Sequence, residues 1–187
     1  MLKIYVDESI SDEVALTVGA RAFDIVIGTG NEIETPSTTS YLKKFAVFVS
    51  DSSGRPVSNV NLTASINPVK YNEDGVYLKG RWVYNDVDSI WNVVDVFQCD
   101  NEDENDNGIL DEGEDTNEDQ QLTPGIVGTV TLSNNGVTDE NGFAELEYRY
   151  PESYAVWYFA EITVFGQSTG SEAQASMKYQ LEILADD

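Results

Sequence analysis

The 187-residue sequence predicts an all-β protein built as an antiparallel sandwich. Apolar and polar residues alternate with a period of two over several stretches, which is typical of strands that bury one face. Short runs rich in Gly, Asn and Asp separate these stretches and predict turns. Because no stretch has the period of an amphipathic helix, the many short strands favour a sandwich.

The alternation is clearest over 60–66 and 144–150, where each second residue is apolar. Further strands are predicted over 23–27, 45–49, 81–84, 91–97, 126–132, 156–165 and 175–184. Turns are predicted over 51–54, 72–75, 134–136 and 139–142. The aromatic residues of 154–159 are expected to lie on both faces of one strand.

Residues 1–34 fit this pattern less well and are predicted to be a β extension or the end of a preceding domain. They contain two β-like pieces, 2–6 and 14–18, separated by the acidic segment 7–13. The sandwich itself is predicted over 35–187. The N-terminus has no apolar signal core, and its strand-like start leads us to expect a fragment of a longer protein.

Composition excludes several functions. The chain carries 10 Lys and Arg against 34 Asp and Glu, a net charge of −24, so we expect no nucleic-acid partner. No apolar run reaches the length needed to cross a bilayer, so no membrane insertion is expected. The absence of His and the single cysteine, Cys99, exclude His-based triads and zinc–thiolate sites. Since no carboxylate pair stands out by its spacing, we do not expect an enzyme.

The section 100–119 carries eleven acidic residues in a regular arrangement. Residues 103–114 fit the twelve-position calcium loop D-x-[DN]-x-[DN]-G-x5-E, with its turn glycine at Gly108. Calcium takes about six to eight oxygen ligands, and alternate side chains of such a loop converge on one point. The predicted ligands of this first loop are the side chains of Asp103, Asn105, Asn107, Asp111 and Glu114 and the backbone carbonyl of Ile109.

A degenerate copy of this loop, the second loop, follows over 115–126 with a period of twelve. Its predicted ligands are Asp115, Asn117 and Asp119. Gln120 replaces the turn glycine and Ile126 replaces the closing glutamate, so we expect weaker calcium binding there or none. Three groups are candidates to complete its ligand shell: Asp111, Glu114 and the carbonyl of Thr123. One calcium ion is therefore expected, and a second stays open.

The residues flanking the two loops predict strands rather than the helix pair of a calcium sensor. The expected role of calcium is therefore structural. It would neutralise clustered carboxylates and attach the long insert, about 71–125, to the sandwich. Without the ion, we expect repulsion between the carboxylates to leave 100–125 disordered.

Two further stretches contain turn signatures. Residues 49–57 read V-S-D-S-S-G-R-P-V, and residues 137–144 read V-T-D-E-N-G-F-A. In this order they resemble the V-x-D-x-x-G-x-P-V and T-D-x-x-G-x-A signatures of bacterial immunoglobulin-like domains of the invasin and intimin type. The calcium-loop insert also looks like one carried by some large repetitive surface proteins of Gram-negative bacteria.

The resemblance implies an immunoglobulin-like sandwich from a cell-surface or secreted bacterial adhesin. Such domains are rod-like spacers or binding tips, so the implied partners are neighbouring domains and a host or surface glycan or protein. The long section 71–125 departs from the simple spacer form. Trp82 and Trp91 precede the calcium loops and leave a carbohydrate-binding module as the alternative, if both are exposed on one flat face instead of lying in the core.

Overall fold

The computed structural model of the chain describes residues 2–7, 10–14, 23–69, 77–105 and 107–184. Within these ranges the protein is all-β, with antiparallel strand pairs and two short 3-10 helices, Ser133–Gly136 and Glu152–Tyr154. None of the helices in the described ranges is long and apolar enough to cross a membrane. The strands are β1 (Leu2–Asp7), β2 (Ile10–Val14), β3 (Asp24–Ser37), β4 (Ser40–Ser50), β5 (Asn61–Pro68), β6 (Tyr77–Asn85), β7 (Ile90–Cys99), β8 (Thr129–Leu132), β9 (Phe143–Pro151), β10 (Phe159–Ser168) and β11 (Ser171–Gln180).

Seven strands form two sheets around one core. The first sheet has the spatial order β3-β4-β9-β8 and the second has the order β11-β10-β5. Buried side chains from both sheets form one hydrophobic cluster. For example, the Phe45 ring of β4 packs edge-on against the Tyr179 ring of β11, with the centroids 5.1 Å apart. The predicted all-β, sandwich-like architecture is therefore confirmed.

The two stretches with the clearest alternation are strands, as predicted. β5 buries Leu62 and Ile66, and β9 buries every second residue from Ala144 to Tyr150. The other predicted strands overlap β3, β4, β6, β7, β8, β10 and β11. The turn predicted over 72–75 and most of the strand predicted over 14–18 lie outside the described residues.

Two predictions about strand positions are wrong. β2 occupies Ile10–Val14 and so overlaps the acidic segment 7–13, which was expected to separate two strands. The aromatic residues of 154–159 do not share a strand, because a 3-10 helix and a turn precede β10, which begins at Phe159. A hydrogen bond of 2.8 Å from the Trp157 indole N–H to the Ser153 carbonyl stabilises this compact arrangement.

The predicted division after residue 34 falls within β3. This strand pairs with β4 from Asp24 onward, and Ile25 belongs to the shared core together with the preceding Phe23. Residues 24–34 are therefore part of the sheet, and the short hairpin of β1 and β2 forms a separate two-stranded sheet.

The two signature stretches form turns with the same hydrogen bonds. Asp51 Oδ1 accepts the backbone N–H groups of Ser53 and Arg55, and Asp139 Oδ1 accepts those of Asn141 and Phe143. These hydrogen bonds lower the pKa of both aspartates, with the bond from Arg55 or Phe143 as the largest cause. The two turns are therefore built on the same principle, an aspartate that accepts N–H groups two and four residues later.

The long section between β5 and β8 contains a hairpin of β6 and β7, followed by the two loops. Gly80 of β6 lies against Trp157, and a Cβ atom at this position would come within 2.6 Å of the indole Cγ. Glycine therefore lets the base of the hairpin approach the aromatic residues that precede β10. The first loop begins at Asp103, shortly after β7 ends at Cys99.

Candidate metal site

The first loop is organised by side-chain oxygens that accept backbone N–H groups. Asp103 accepts hydrogen bonds from the N–H groups of Asn107 (2.9 Å) and Gly108 (2.8 Å). Asn105 Oδ1 also accepts the N–H of Asn107, and Asn107 Oδ1 accepts that of Ile109. Gly108 has φ +73°, so the sharp turn uses a left-handed conformation that glycine adopts freely. The Ile109 side chain is exposed on this turn.

Glu114 closes the first loop. Its side chain is buried, and its two carboxylate oxygens accept the backbone N–H groups of Glu104 (3.2 Å) and Asp111 (2.8 Å), the second and ninth positions of the loop. Asp111 Oδ2 in turn accepts hydrogen bonds from the amide groups of Asn105 and Asn107, both 2.9 Å long. These two bonds lower the pKa of Asp111 and keep it ionised.

The second loop repeats this hydrogen-bond pattern with a shift of twelve residues. Asp115 accepts the N–H groups of Asp119 (3.0 Å) and Gln120 (3.1 Å). Asn117 Oδ1 accepts the N–H of Asp119, and Asp119 Oδ1 accepts that of Gln121. Gln120 has φ +63° where the first loop has its glycine, so the turn is the same although a side chain is present.

Glu102 closes the second loop, which sequence analysis did not predict. Its Oε1 accepts the N–H and hydroxyl of Thr116 and the N–H of Asn117, while Oε2 accepts the N–H of Thr123. Thr116 and Thr123 stand at the second and ninth positions of their loop, the same positions that Glu114 contacts in the first loop. Glu102 therefore takes the place that Ile126 leaves without a carboxylate.

None of the three predicted candidates completes the second loop in this way. Asp111 and Glu114 hydrogen-bond within the first loop. The Thr123 carbonyl accepts the N–H of Glu102 at 2.9 Å. The twelve-residue repeat could have indicated this role of Glu102, because Glu102 stands twelve residues before Glu114.

Carboxylates converge most closely in the second loop. Oxygens of Glu102, Asp115 and Asp119 lie within 4.8 Å of one another and could hold a metal ion. Over the described residues, the carboxylates of the first loop do not form such a group. The side-chain NH2 groups of Asn105 and Asn107 donate to the Asp111 carboxylate there.

The electrostatics keep Glu102 ionised although its side chain is only 4% exposed. Burial is the largest single influence and raises its pKa, but the hydrogen bonds from Thr116, Asn117 and Thr123 together outweigh it, so the net pKa is lowered. Oε1 accepts three hydrogen bonds and Oε2 only one, which leaves Oε2 a lone pair for a cation. A buried, ionised carboxylate with an unused lone pair is well suited to bind a cation.

Two tyrosines attach the end of the second loop to the sandwich. The buried hydroxyl of Tyr158 donates to the Gly125 carbonyl at 2.8 Å, and that of Tyr148 donates to the Val127 carbonyl at 2.6 Å. Burial is the main cause that raises the pKa of both tyrosines, so both remain donors at all ordinary pH values. The loop thus continues into β8 from a fixed position.

Trp82 and Trp91 lie on the same face of the hairpin but differ in exposure. Trp91 is 54% exposed, whereas Trp82 is half-buried. Tyr84 pairs with Trp91 across the two strands, with ring centroids 5.2 Å apart and planes tilted by 59°. A flat face with both tryptophans exposed is therefore not formed.

The arrangement offers a cation oxygen ligands only: carboxylates, amide oxygens and carbonyls. Such ligands suit hard cations, calcium among them, and the chain contains no His that would favour a transition metal. Comparisons of the chain with protein-family models, with curated proteins and with solved structures found no match.

Proposed function

We propose that this chain is a non-catalytic, calcium-stabilised immunoglobulin-like module of a bacterial cell-surface or secreted adhesin, with a spacer or adhesive role. The observation that carries the proposal is the twelve-residue structural repeat of the two loops, each closed by a buried glutamate at equivalent positions. Glu114 closes the loop that matches the calcium consensus, and Glu102 closes its degenerate copy.

Calcium is the proposed ion because of its ligand preference. It accepts about six to eight oxygens in flexible geometry, including carboxylates, amide oxygens and carbonyls. The first loop offers Asp103, Asn105, Asn107, Asp111 and Glu114 with the carbonyl of Ile109, and the second offers Glu102, Asp115, Asn117 and Asp119. Two ions would offset part of the −24 charge of the chain, which concentrates in this section.

The proposed role of the ions is structural. The loops lie between two strands, β7 and β8, rather than between the helices that open on calcium binding in a sensor. Both loops are instead attached to the sandwich at their ends, through the base of the hairpin and through the tyrosine hydroxyls. Calcium would therefore stiffen the insert and fix the hairpin that precedes it.

Strand order supports the immunoglobulin-like part of the proposal. If the hairpin and the loops are set aside, seven strands remain, β3, β4, β5, β8, β9, β10 and β11. Lettered A to G in chain order, these strands form one sheet with the order A-B-E-D and a second sheet with the order G-F-C. This is the arrangement of a constant-type immunoglobulin domain. The matched turns at Asp51 and Asp139 add the two signatures of the invasin and intimin type.

A surface or extracellular location is proposed on the same grounds. The calcium sites of extracellular modules have dissociation constants of about 10⁻⁴–10⁻³ M, and calcium is abundant outside the cell. The partners proposed are neighbouring domains of a longer chain. The alternative of a carbohydrate-binding module lacks its main support, because Trp82 is half-buried and only Trp91 is well exposed.

The test is calorimetric titration of the purified chain with calcium, combined with thermal unfolding in EDTA, in calcium and in magnesium. We expect two calcium ions per chain and a calcium-specific rise in the melting temperature. At a free calcium concentration of about 100 times the dissociation constant, each site adds about 2.7 kcal/mol to the free energy of unfolding. For a chain of this size that corresponds to a shift of several degrees.

The control variant is Glu112→Gln. It removes one exposed carboxylate from the first loop without removing a proposed ligand. This variant should bind calcium like the wild type. Equal shifts with magnesium and calcium, or no bound ion at all, would contradict the proposal. The loops would then be held by their hydrogen bonds alone.

A further inference from the structure

The hairpin of β6 and β7 carries an unusual share of the exposed apolar surface. Ten large apolar side chains are exposed in the described part of the chain, and six of them belong to this hairpin. They are Val83, Tyr84, Val87, Ile90, Trp91 and Val94. Exposed apolar patches of this kind mark interaction sites more often than scattered single residues do.

Both faces of the hairpin contribute to this surface. Strand register puts Tyr84 opposite Trp91 on one face, while Val83 and Ile90 lie on the other. Val87, in the connecting turn, is 90% exposed. A two-stranded ribbon in water is marginally stable by itself, so a ribbon with apolar side chains on both faces gains from being covered.

The hairpin also has an open edge. β7 pairs with β6 alone among the strands of the described residues, whereas the base of β6 lies against Trp157. An open edge presents unpaired backbone N–H and C=O groups that an extended segment can pair with. The edge therefore suits a partner that pairs with it as an added strand. Alternate side chains of that strand would contact the ribbon.

Charge identifies the occupant. Lys79 and Arg81 lie in the first half of β6, away from the turn, whereas residues 82–148 contain neither Lys nor Arg and the turn of the hairpin carries Asp86 and Asp88, both exposed. A second copy of this chain, with the same −24 charge, would be repelled, as would an anionic polymer or lipid surface. A positively charged polypeptide would instead be attracted, and a cation near the faces of Tyr84 and Trp91 would gain a cation–π contact.

We propose that the hairpin of β6 and β7 docks an extended polypeptide segment in which basic and apolar residues alternate, by pairing along β7 and contact with Tyr84 and Trp91. Because successive side chains of an added strand point to opposite faces, the apolar residues of the segment lie beside Ile90 and Val94 on one face and its cations lie beside Tyr84 and Trp91 on the other. This gives the proposed module an adhesive surface. The inference goes beyond the calcium proposal, because the docking surface lies outside the loops.

The test uses a short synthetic peptide of alternating lysine and valine, titrated while the fluorescence of the tryptophans is recorded at physiological salt. The wild-type chain should bind it, and Trp91→Ala should weaken binding about tenfold or more. Tyr84→Ala should weaken it in the same direction, and Asp86→Asn should weaken it less. Phe48→Ala is the matched control, since Phe48 is an exposed aromatic residue on β4 and its loss should leave binding unchanged.

The outcomes are separable. Equal binding by the Trp91→Ala and Phe48→Ala variants would reduce the effect to diffuse charge attraction and overturn the proposal. Binding of a neutral oligosaccharide in place of the peptide would overturn it in favour of a sugar surface. Each titration is run in EDTA and in calcium, with far-ultraviolet circular dichroism of every variant to establish folding. Peptide binding together with no bound calcium in the calorimetric titration would leave the docking surface intact and contradict the calcium proposal alone.

Discussion

The two loops have the same backbone pattern but different routes to closure. In the first loop every motif position is present in the sequence, and its last residue, Glu114, turns back onto the second and ninth positions. In the second loop the last position is Ile126, and Glu102 contacts the second and ninth positions from outside the loop. A loop can therefore be complete in space although it is degenerate in sequence.

Both closing glutamates directly precede the first residue of a loop. Glu102 stands before Asp103 and closes the second loop, while Glu114 stands before Asp115 and closes the first. Each loop is therefore closed by the residue that directly precedes the other loop. They differ in their hydrogen bonds, because Glu102 accepts bonds from four donors and Glu114 from two.

The largest effect is expected from removing one closing carboxylate at a time. Glu102→Gln and Glu114→Gln should each reduce the calcium stoichiometry from two to one, measured by calorimetry. Each variant should lose about 2.7 kcal/mol of calcium-dependent stability at calcium concentrations near 100 times the dissociation constant. If Glu102→Gln still binds two calcium ions, Glu102 closes the second loop through hydrogen bonds and does not contact the metal. The two loops would then differ in their metal ligands as well as in their hydrogen bonds.

The next largest effect is expected from Tyr158→Phe, which removes the hydroxyl that donates to the Gly125 carbonyl at the end of the second loop. Loss of one such hydrogen bond costs about 1 kcal/mol of the free energy of unfolding, measured with urea. Calcium binding by the second loop should weaken, and binding by the first should not. Tyr84→Phe is the control, since its ring is exposed. Equal weakening of both sites would mean that the loops act as one unit.

Strand alternation and the calcium motif were visible in the sequence because they are local patterns. The burial of each second residue from Ala144 to Tyr150 follows from period two, and the turn at Gly108 follows from the consensus. The role of Glu102 was not visible, because it arises from a contact across twenty-one residues, to Thr123. The strand predicted through Trp157 failed because residues 152–157 form a 3-10 helix and a turn, in which the Trp157 indole N–H donates to the Ser153 carbonyl.

A smaller effect is expected from substitutions at the sixth position of each loop. Gly108 has φ +73° and Gln120 has φ +63°, a conformation that costs a residue with a side chain about 1 kcal/mol. Gly108→Ala should therefore lower the free energy of unfolding by about 1 kcal/mol, and Gln120→Gly should raise it by a similar amount. Urea unfolding in EDTA measures both. Changes of the same sign in the two variants would show that the turns are not equivalent.

The smallest effect concerns pH and is measured in EDTA. Hydrogen bonds lower the pKa of Glu102 below its ordinary value of 4.5 although burial opposes them. A carboxylate with a lowered pKa contributes stability that is fully present above its ordinary value and is lost as the pH falls through the value in the folded state. The difference in free energy of unfolding between the wild type and Glu102→Gln should therefore be largest at neutral pH and shrink below about pH 4.5. The other carboxylates are the same in both proteins, so their contributions largely cancel in this difference. A difference that grows in acid would mean that burial, rather than hydrogen bonding, dominates at Glu102. The second loop would then need an ion to hold its closing carboxylate.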